Sequence, residues 1–289
     1  MPSINKIYIV GAGAIGQALA VCLQHAGRAV TLVRRAGTGP MRIKVQAHQL
    51  LEATVPVIRI EEIGEGLVLV TAKSFANPGI AAKLAGQTVV LLQNGLNIEK
   101  DFDNRELYRC VLMVTSQFDT NGVVQFKPVS PCPTGAVRGG QLPQVVAALD
   151  NPWFRFIAAE NIQELVWRKV IVNCVFNAIC PLLETDNGIF HRDESARAIA
   201  RRVITECMAV AQQFVTLELE TVMDSLLNIS RLSDGQYIST LQDIRQGRPT
   251  ELDTLNAEIV RLAGDLPVTE TRLLGELAML KSLQGAGAG

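Results

Sequence analysis

The chain has 289 residues, and its 27 Lys and Arg residues against 28 Asp and Glu residues give a formal net charge of −1. Hydrophobic residues make up 48% of the chain and charged residues 19%, a composition that excludes an intrinsically disordered protein. The balanced charge and the lack of a long Lys/Arg run also argue against a nucleic-acid partner. Because domains commonly span about 100–200 residues, the length predicts two domains.

The six cysteines indicate neither a disulfide framework nor a structural zinc site. They form no CxxC pair and no paired Cys/His cluster, and most of them stand in apolar runs. A free cysteine in such a run behaves as a small buried hydrophobe. We therefore expect reduced thiols, no bound metal and a cytoplasmic location.

An uncharged run over residues 7–23 follows Lys6 and imitates a signal peptide or a short membrane span. With 17 residues, three of them glycine, the run is at the short limit for a span. A strand, a turn and a helix account for it better. No other stretch is expected to be long and apolar enough to cross a bilayer, so we expect no membrane partner.

Residues 6–10 predict a buried strand that leads directly into a glycine-rich turn. We call residues 11–16 the glycine turn; its sequence is Gly11-Ala12-Gly13-Ala14-Ile15-Gly16. A helical pattern and a second strand over 29–33 follow, which is the βαβ context that a dinucleotide-binding turn requires. Gly11 would allow the tight bend, Gly13 the approach of a diphosphate, and Gly16 the packing of helix on strand. The alternative is a glycine-rich turn without a ligand.

The end of the second predicted strand favours NADP(H) over NAD(H). An acidic residue there would accept hydrogen bonds from the adenosine ribose of NAD. The chain has Arg34 and Arg35 instead, and the next acidic residue is Glu52. Guanidinium groups match the 2′-phosphate of NADP in charge and geometry. The alternative is a pair of solvated surface arginines.

The rest of the N-terminal half reads as strands over 66–71, 88–92 and 111–115, with loops and short strands over 127–140. Lys73 and Asn94 each follow the end of a predicted strand, where open α/β sheets bind their ligands. For the Asn94-Gly95 dipeptide, an ordinary turn is the alternative.

The most informative stretch is a helix over residues 165–179, in which polar side chains share one face. Past Lys169 the stretch is apolar on all sides except for Asn173 and Asn177. With Lys169 they fall at i, i+4 and i+8, so they stack along one face. Burying an amide without a partner costs about 1–3 kcal/mol, and an ammonium costs far more. We therefore expect a bound polar ligand or a water-filled cleft along this face. The alternative is that the amides bond backbone carbonyls while Lys169 reaches solvent.

From about residue 160 onward the sequence predicts helices, among them 194–216, a shorter one over 223–232, and 254–266 and 271–283. The Gly/Ala-rich tail over 284–289 is expected to fray. The predicted fold class is therefore α/β, with an N-terminal Rossmann-type doubly wound sheet followed by an all-helical C-terminal domain.

These motifs, taken in order, resemble those of the ketopantoate reductases (2-dehydropantoate 2-reductases) over nearly the whole chain. The glycine turn is similar to their generic dinucleotide turn, and Gln93-Asn94-Gly95-Leu96 is similar to their His/Gln-Asn-Gly segment. Trp167-Arg168-Lys169, with Asn173 and Asn177 following, resembles their active-site helix. Ser239-Thr-Leu-Gln-Asp-Ile-Arg and Pro249-Thr-Glu251-Leu-Asp253 resemble their C-terminal signature. The last two motifs are highly specific in this combination and spacing.

The resemblance implies a role for each residue on the substrate side. Lys169 would be the general acid, and Asn173 and Asn177 would hold the carbonyl and hydroxyl groups of the substrate. Ser239 would bind the carboxylate of the substrate. Asn94 would lie between the nicotinamide and the substrate and so contact both.

On the cofactor side, the resemblance implies that the glycine turn, Lys73 and Glu251 contact NADP(H) and that Arg34 binds its 2′-phosphate. For Glu251 the alternative is a carboxylate that only complements a helix N-terminus. The domains implied are an NADP-binding domain over 1–163 and a helical substrate and catalytic domain over 164–289, with the cleft between them.

The activity implied is that of an NADP-dependent oxidoreductase. It would reduce 2-dehydropantoate (ketopantoate), a small 2-keto acid, to pantoate by hydride transfer, in pantothenate and coenzyme A biosynthesis. Phe118 and Asn97 depart from the small residues usual at their positions, so a reductase of another branched 2-keto acid is an alternative. A non-enzymatic NADP(H)-sensing protein is a third, which the presence of Lys169 disfavours because a sensor needs no general acid. The sequence leaves open whether the chain forms a homodimer.

Overall fold

The computed structural model describes residues 6–286, with side chains through residue 284, and the chain divides into two compact units. The first unit holds the residues up to Gln93 and the range Ile98–Ile162. The second unit holds Asn94–Asn97 and the chain from Gln163 onward. The short segment Asn94–Asn97 therefore groups with the second unit, although both of its neighbours in sequence belong to the first.

Within the described residues of the first unit, eleven strands form one mixed sheet. The strands are β1 (Ile7–Val10), β2 (Val30–Val33), β3 (Gly39–Gln46), β4 (Leu50–Ile58), β5 (Leu67–Val70), β6 (Thr88–Leu91), β7 (Glu106–Cys110), β8 (Val114–Phe118), β9 (Val124–Pro128), β10 (Cys132–Arg138) and β11 (Phe156–Ala158). Their order across the sheet is β11-β10-β7-β6-β5-β1-β2-β4-β3-β9-β8.

The centre of this sheet is parallel from β7 through β6, β5, β1 and β2 to β4. Strand β1 lies between β5 and β2, with Ile7 opposite Leu67 on one side and Val30 on the other. A parallel sheet that extends to both sides of its first strand is characteristic of the doubly wound fold. The predicted Rossmann-type class is confirmed, with antiparallel pairings of β10, β3 and β8 added outside the parallel centre.

Strands β1, β2 and β5 are buried at every residue, which explains why they read as continuous apolar runs. A strand covered on both faces needs apolar side chains on both. In β1, Ile7 and Ile9 enter one hydrophobic core, while Tyr8 and Val10 enter another. Because successive side chains of β1 point to opposite faces of the sheet, this one strand contributes to both hydrophobic cores of the unit.

Helix α1 (Ala14–His25) is enclosed by the first of these cores, and residues 18–23 are fully buried. The enclosing side chains include Ile43 and Val55 of the hairpin β3–β4 and Phe126 of β9. A helix that is apolar on all sides is stable in water only when it is covered in this way. The uncharged run over residues 7–23 is therefore a strand, a turn and a helix, as predicted.

Two features of this sheet differ from the sequence-based prediction. The strand predicted over 111–115 is displaced, because β7 ends at Cys110 and β8 begins at Val114. The hairpin β3–β4 has no counterpart among the predicted strands. Its buried residues alternate with exposed ones, and each strand contains a proline, Pro40 or Pro56, which lowers the strand signal.

The first unit also contains helices α2 (Asn77–Ala81) and α3 (Leu142–Leu149). The helices that follow are α4 (Ile162–Leu183), α5 (Ile189–Arg192), α6 (Glu194–Ala211), α7 (Leu219–Leu232), α8 (Ser239–Arg245), α9 (Asn256–Leu262) and α10 (Thr269–Ala286). The predicted all-helical C-terminal region is confirmed, although α6 and α9 are shorter and α7 and α10 longer than predicted. Residues 284–286 of the tail continue α10 instead of fraying, and residues 287–289 lie outside the described part of the chain.

Helix α4 is long and apolar enough to cross a membrane by length and composition, so the prediction that no further stretch has this property was wrong. Its most apolar window has a mean hydropathy of 1.4 and is 72% buried inside the protein. Burial of this extent is typical of a helix that packs in a protein core.

All six cysteines are free and buried, which confirms the prediction of buried thiols. Burial raises the pKa of the Cys22 and Cys180 thiols to about 12, so both stay protonated at neutral pH. In the part of the chain that the structure describes, no group of three or more His, Cys, Asp or Glu residues is arranged to hold a metal ion.

Candidate active site

The glycine turn joins β1 to α1 through two close backbone approaches. Gly11 has a φ of +118°, and a Cβ atom there would lie 2.5 Å from the backbone nitrogen of Ala72. A Cβ atom on Gly16 would lie 1.9 Å from the carbonyl oxygen of Gly11. Only glycine therefore allows the first turn of α1 to lie directly on the end of β1.

Hydrogen bonds from the residues directly after β5 hold this turn in place. The Thr71 hydroxyl donates to the carbonyl oxygen of Gly11 at 2.8 Å, and the backbone N–H of Ala72 donates to Val10 at 3.0 Å. From the helix side, the Gln17 amide donates to the carbonyl oxygen of Ala12 at 2.9 Å. The conformation of the turn is thus fixed by the protein itself.

Gly13 differs from the other two glycines because it faces open space. A Cβ atom there would meet nothing within 4 Å, and Gly13 is the residue that precedes the first turn of α1. No acidic residue stands in that first turn, and no described side chain caps it. The N–H groups at the start of a helix favour an anion, so the turn suits the diphosphate of a dinucleotide.

The end of β2 presents two exposed arginines, Arg34 and Arg35. Glu52, the first acidic residue after them, lies on β4 and pairs with Arg42 at 2.7 Å and with Lys44 at 3.3 Å. The hydrogen bond from Arg42, with that from Lys44, lowers the pKa of Glu52. This carboxylate is committed to cations of the neighbouring strand, so the end of β2 carries positive charge.

Lys73 is half-buried and follows β5 by three residues, directly before the short 3-10 helix Ser74–Ala76. The loop after β6 is tied to this loop by Gln93, whose amide donates to the carbonyl oxygen of Ala72 at 2.6 Å and to Asn77 Oδ1 at 2.7 Å. Two loops that follow neighbouring parallel strands are therefore joined at the edge where open α/β sheets bind ligands.

In the second unit, Lys169, Asn173 and Asn177 all lie within the continuous helix α4, so the predicted stacking along one face holds. Lys169 and Asn173 are half-buried, whereas Asn177 is 4% exposed. The face thus runs from partly accessible positions to a buried one.

The buried amide of Asn177 has partners on both of its ends. Its nitrogen donates to the carbonyl oxygen of Asn173 at 2.9 Å, and its Oδ1 accepts a hydrogen bond from the Thr240 hydroxyl at 2.7 Å. The first of these bonds is the backbone contact that the alternative interpretation of this helix describes. The second joins α4 to the start of α8, where Ser239 is exposed next to Thr240. Thr240 was missed in the sequence, since its partner lies 63 residues away.

Asn94 and Glu251 lie on segments that meet within the second unit. The backbone N–H of Leu96 donates to the carbonyl oxygen of Thr254 at 2.9 Å, and Thr254 in turn donates to the carbonyl oxygen of Glu251 at 3.1 Å. Both Asn94 and Glu251 are half-buried.

The predicted site residues thus fall into two groups. Those in the first unit are the glycine turn, Arg34 and Lys73. Those in the second unit are Asn94, Lys169, Asn173, Asn177, Ser239 and Glu251.

Sequence comparison assigns both parts of the chain to one family. Residues 7–130 match the family described as "Ketopantoate reductase PanE/ApbA", and residues 161–283 match "Ketopantoate reductase PanE/ApbA C terminal". The chain belongs to this family. It is therefore an oxidoreductase of the ketopantoate reductase family, as the resemblance in the sequence implied.

Individual relatives agree with this assignment. The 2-dehydropantoate 2-reductase of Pyrococcus abyssi is 27% identical over 275 residues, which cover 89% of this chain and 91% of the relative. The crystal structure of a ketopantoate reductase from Ralstonia eutropha JMP134 is 25% identical, with a TM-score of 0.83 over 97% of this chain and 99% of that one. A D-mandelate dehydrogenase with NADH and anilino(oxo)acetate has the same fold at 21% identity, with a TM-score of 0.85 over 97% and 99%.

The glycine turn gives a prediction about stability. Gly16→Ala places a Cβ atom against the carbonyl oxygen of Gly11, which should destabilise the first unit by about 1–3 kcal/mol. Gly13→Ala is the matched control, since a Cβ atom there meets nothing, and its cost should stay below about 1 kcal/mol. Thermal unfolding followed by circular dichroism measures both. Equal melting temperatures for the two variants would contradict the close contact at Gly16.

Proposed function

We propose that the protein reduces ketopantoate to pantoate with NADPH, the reaction that feeds pantothenate and coenzyme A biosynthesis. Membership of the ketopantoate reductase family supports the reaction class. The observation that most directly supports the chemistry is the polar face of α4, where Lys169 is followed by two asparagines in a stretch that is otherwise apolar beyond Lys169. Such a face matches a substrate that carries a carbonyl, a hydroxyl and a carboxylate.

The first unit has the properties needed to hold the dinucleotide. The open N-terminus of α1 at Gly13 would hold the diphosphate, and Arg34 with its positive surroundings would bind a 2′-phosphate. Lys73 and Glu251 would provide further polar contacts. When bound, NADPH supplies the hydride that reduces the 2-keto carbon.

Lys169 would serve as the general acid of the reduction. As the keto carbon is reduced, negative charge develops on the carbonyl oxygen, and a protonated lysine can neutralise that charge and donate a proton to the oxygen. Asn173 and Asn177 would orient the oxygen-bearing groups through their amides, and fixed amide dipoles stabilise developing charge. Ser239 would hold the carboxylate of the substrate, and Asn94 would lie between the substrate and the nicotinamide.

The amide of Asn177 fits this role only in part, since it already bonds Asn173 and Thr240. One N–H of the amide group stays available for a ligand beside these two bonds. We therefore assign Asn177 mainly to the orientation of α8 and its Ser239, and Asn173 to direct contact with the substrate.

A reductase of a different 2-keto acid on the same scaffold is the second candidate. Phe118 is a bulky residue at the end of β8 and is 45% exposed, at a position where the resemblance leads us to expect a small residue. The fold is shared with D-mandelate dehydrogenases, whose name indicates mandelate, a different 2-hydroxy acid.

A spectrophotometric assay of NADPH oxidation tests both candidates. The substrates would be ketopantoate, ketoisovalerate and phenylglyoxylate, the 2-keto acid that corresponds to mandelate, with a reaction without substrate as the baseline. We expect the highest kcat/KM with ketopantoate. A preference for either of the others would assign the chain to the second candidate, and no oxidation with any 2-keto acid would refute the proposed reaction class.

Lys169→Ala should lower kcat at least about a hundredfold, because positioned acid catalysis contributes roughly 10²–10⁴-fold. The Kd of NADPH should stay nearly the same, since the residues that we assign to the dinucleotide are elsewhere. Steady-state kinetics and quenching of NADPH fluorescence measure the two quantities.

Lys281→Ala is the control for this variant, because Lys281 pairs with Glu184 at 2.8 Å and has no assigned role in the reaction. It should retain the activity of the unmodified protein. A near-normal kcat in Lys169→Ala would remove Lys169 from the mechanism.

Arg34→Ala should weaken the use of NADPH while leaving that of NADH unchanged. A hydrogen bond to a charged group contributes about 1.5–3 kcal/mol, so kcat/KM with NADPH should fall about 10–100-fold. Arg35→Ala, a change at the adjacent and also exposed arginine, should have the smaller effect. If Arg34→Ala reduced the activity with both cofactors by the same factor, the assignment of Arg34 to the 2′-phosphate would be wrong.

A further inference from the structure

The segment that carries Asn94 is attached to the second unit by contacts that follow it directly. Gly95 has a φ of +109°, and a Cβ atom there would lie 2.4 Å from the Thr254 hydroxyl oxygen. Leu96 is 3% exposed and donates its N–H to the carbonyl oxygen of Thr254. The residues 94–97 belong to no helix or strand, so contacts of this kind determine their position.

Asn97 makes the third contact, and it is the most polar one. Its φ of +53° lies in the left-handed region, where asparagine is tolerated better than most residues. Its side-chain nitrogen donates to Glu258 Oε1 at 2.7 Å. This is the position where the resemblance leads us to expect a small residue, and here the side chain has a specific partner.

Glu258 carries a buried carboxylate, and both of its oxygens accept hydrogen bonds. The residue is 5% exposed, and its Oε2 accepts from Arg261 at 2.7 Å. Arg261 also donates to the carbonyl oxygen of Asp253 at 2.6 Å. A buried charge requires such pairing, and a hydrogen bond from a neutral amide to a carboxylate is stronger than one between neutral groups. The Asn97–Glu258 contact is therefore a fixed attachment point.

We propose that Asn97 is a positioning residue for the reduction: through Glu258 and Arg261 it holds Asn94 in the place where Asn94 contacts the substrate. This inference rests on the proposed function. Asn94 belongs to the same unit as Lys169 and Asn173, so its position relative to the general acid depends on how the segment 94–97 is held within that unit.

Only Gly95 and Leu96 lie between Asn94 and Asn97, so a shift of the backbone at Asn97 is transmitted directly to Asn94. Loss of the contact would leave Gly95 and Leu96 as the remaining attachments. A displacement of about 1 Å in a group that orients the substrate can reduce the rate about a hundredfold. The expected effect therefore falls on turnover of the keto acid.

The test uses Asn97→Gly, because glycine accepts the left-handed backbone and removes only the side-chain contact. Glu184→Gly is a matched control in the same unit. Glu184 has a φ of +52°, and its carboxylate pairs with Lys281, outside the proposed site. Both variants replace a left-handed polar residue by glycine and remove one side-chain partner.

For Asn97→Gly we expect kcat/KM for the keto acid to fall about 10–100-fold, with a nearly unchanged Kd for NADPH and an unchanged far-UV circular dichroism spectrum. Glu184→Gly should retain the kinetics of the unmodified protein. Kinetics of Asn97→Gly that match those of Glu184→Gly would overturn the proposal, and so would a loss of NADPH binding equal to the loss of kcat/KM.

A second pair of variants exchanges the hydrogen-bond donor and acceptor of the Asn97–Glu258 contact. It keeps the proposal testable if Asn97→Gly folds poorly. Asn97→Asp alone places a carboxylate against the buried carboxylate of Glu258 and should reduce kcat/KM further. In the double variant Asn97→Asp/Glu258→Gln, the amide at position 258 can donate to the new carboxylate and accept from Arg261. We expect the double variant to recover at least about tenfold over Asn97→Asp, a coupling typical of residues in contact. No recovery would overturn the proposal.

The unmodified protein separates this inference from the function on which it rests. If the unmodified protein fails to oxidise NADPH with every 2-keto acid tested, the proposed function fails. If it is active and Asn97→Gly is equally active, the reductase assignment stands and only the positioning role of Asn97 is refuted.

Discussion

The position of α8 against α4 depends on the hydrogen bonds of one buried amide. Asn177 lies in a helix whose neighbouring residues are apolar, and leaving its amide unpaired would cost about 1–3 kcal/mol. The bond to the carbonyl oxygen of Asn173 is local to the helix and constrains nothing else. The bond from Thr240 is different, because it requires one particular residue of α8 to face α4. Since Ser239 precedes Thr240, the interaction that satisfies the amide also determines where the exposed serine stands.

The first unit is organised by a steric constraint of comparable strength. The contact between Gly16 and the carbonyl oxygen of Gly11 sets how closely α1 approaches β1, and Thr71, directly after β5, donates a hydrogen bond to that carbonyl oxygen. The turn therefore has its conformation before any ligand arrives, which reduces the entropy lost on binding. The enclosure of residues 18–23 of α1 has the same consequence, because a helix whose middle is packed on all sides does not shift readily to accommodate a ligand.

The sequence was sufficient for the features that local pattern determines. Strands β1, β2, β5 and β6 were predicted within one or two residues, because strands buried on both faces are continuous apolar runs. The hairpin β3–β4 was not, since seven of its 17 strand residues are exposed and each strand contains a proline. In the site, the glycine turn and the spacing in α4 were visible as motifs. Thr240 and Glu258 were not, because each owes its importance to a partner 63 or 161 residues away, and no local pattern records such a pair.

The low content of charged residues makes the buried carboxylates of the second unit informative. Asp243 has a side-chain exposure of 6% and pairs with Arg248, which is 51% exposed; Glu258, at 7%, pairs with Arg261, at 54%. In both pairs a long side chain reaches in from the surface to a buried anion. Removing either arginine would take the cation away from a buried carboxylate, which costs more than the pair contributes. The two pairs stand on either side of Glu251 in sequence, and the segment between them is contacted at Arg248, which pairs with Asp243, and at Asp253, whose carbonyl oxygen accepts from Arg261. Buried ion pairs contribute little net stability, so what these arginines add is contacts to a segment outside the long helices.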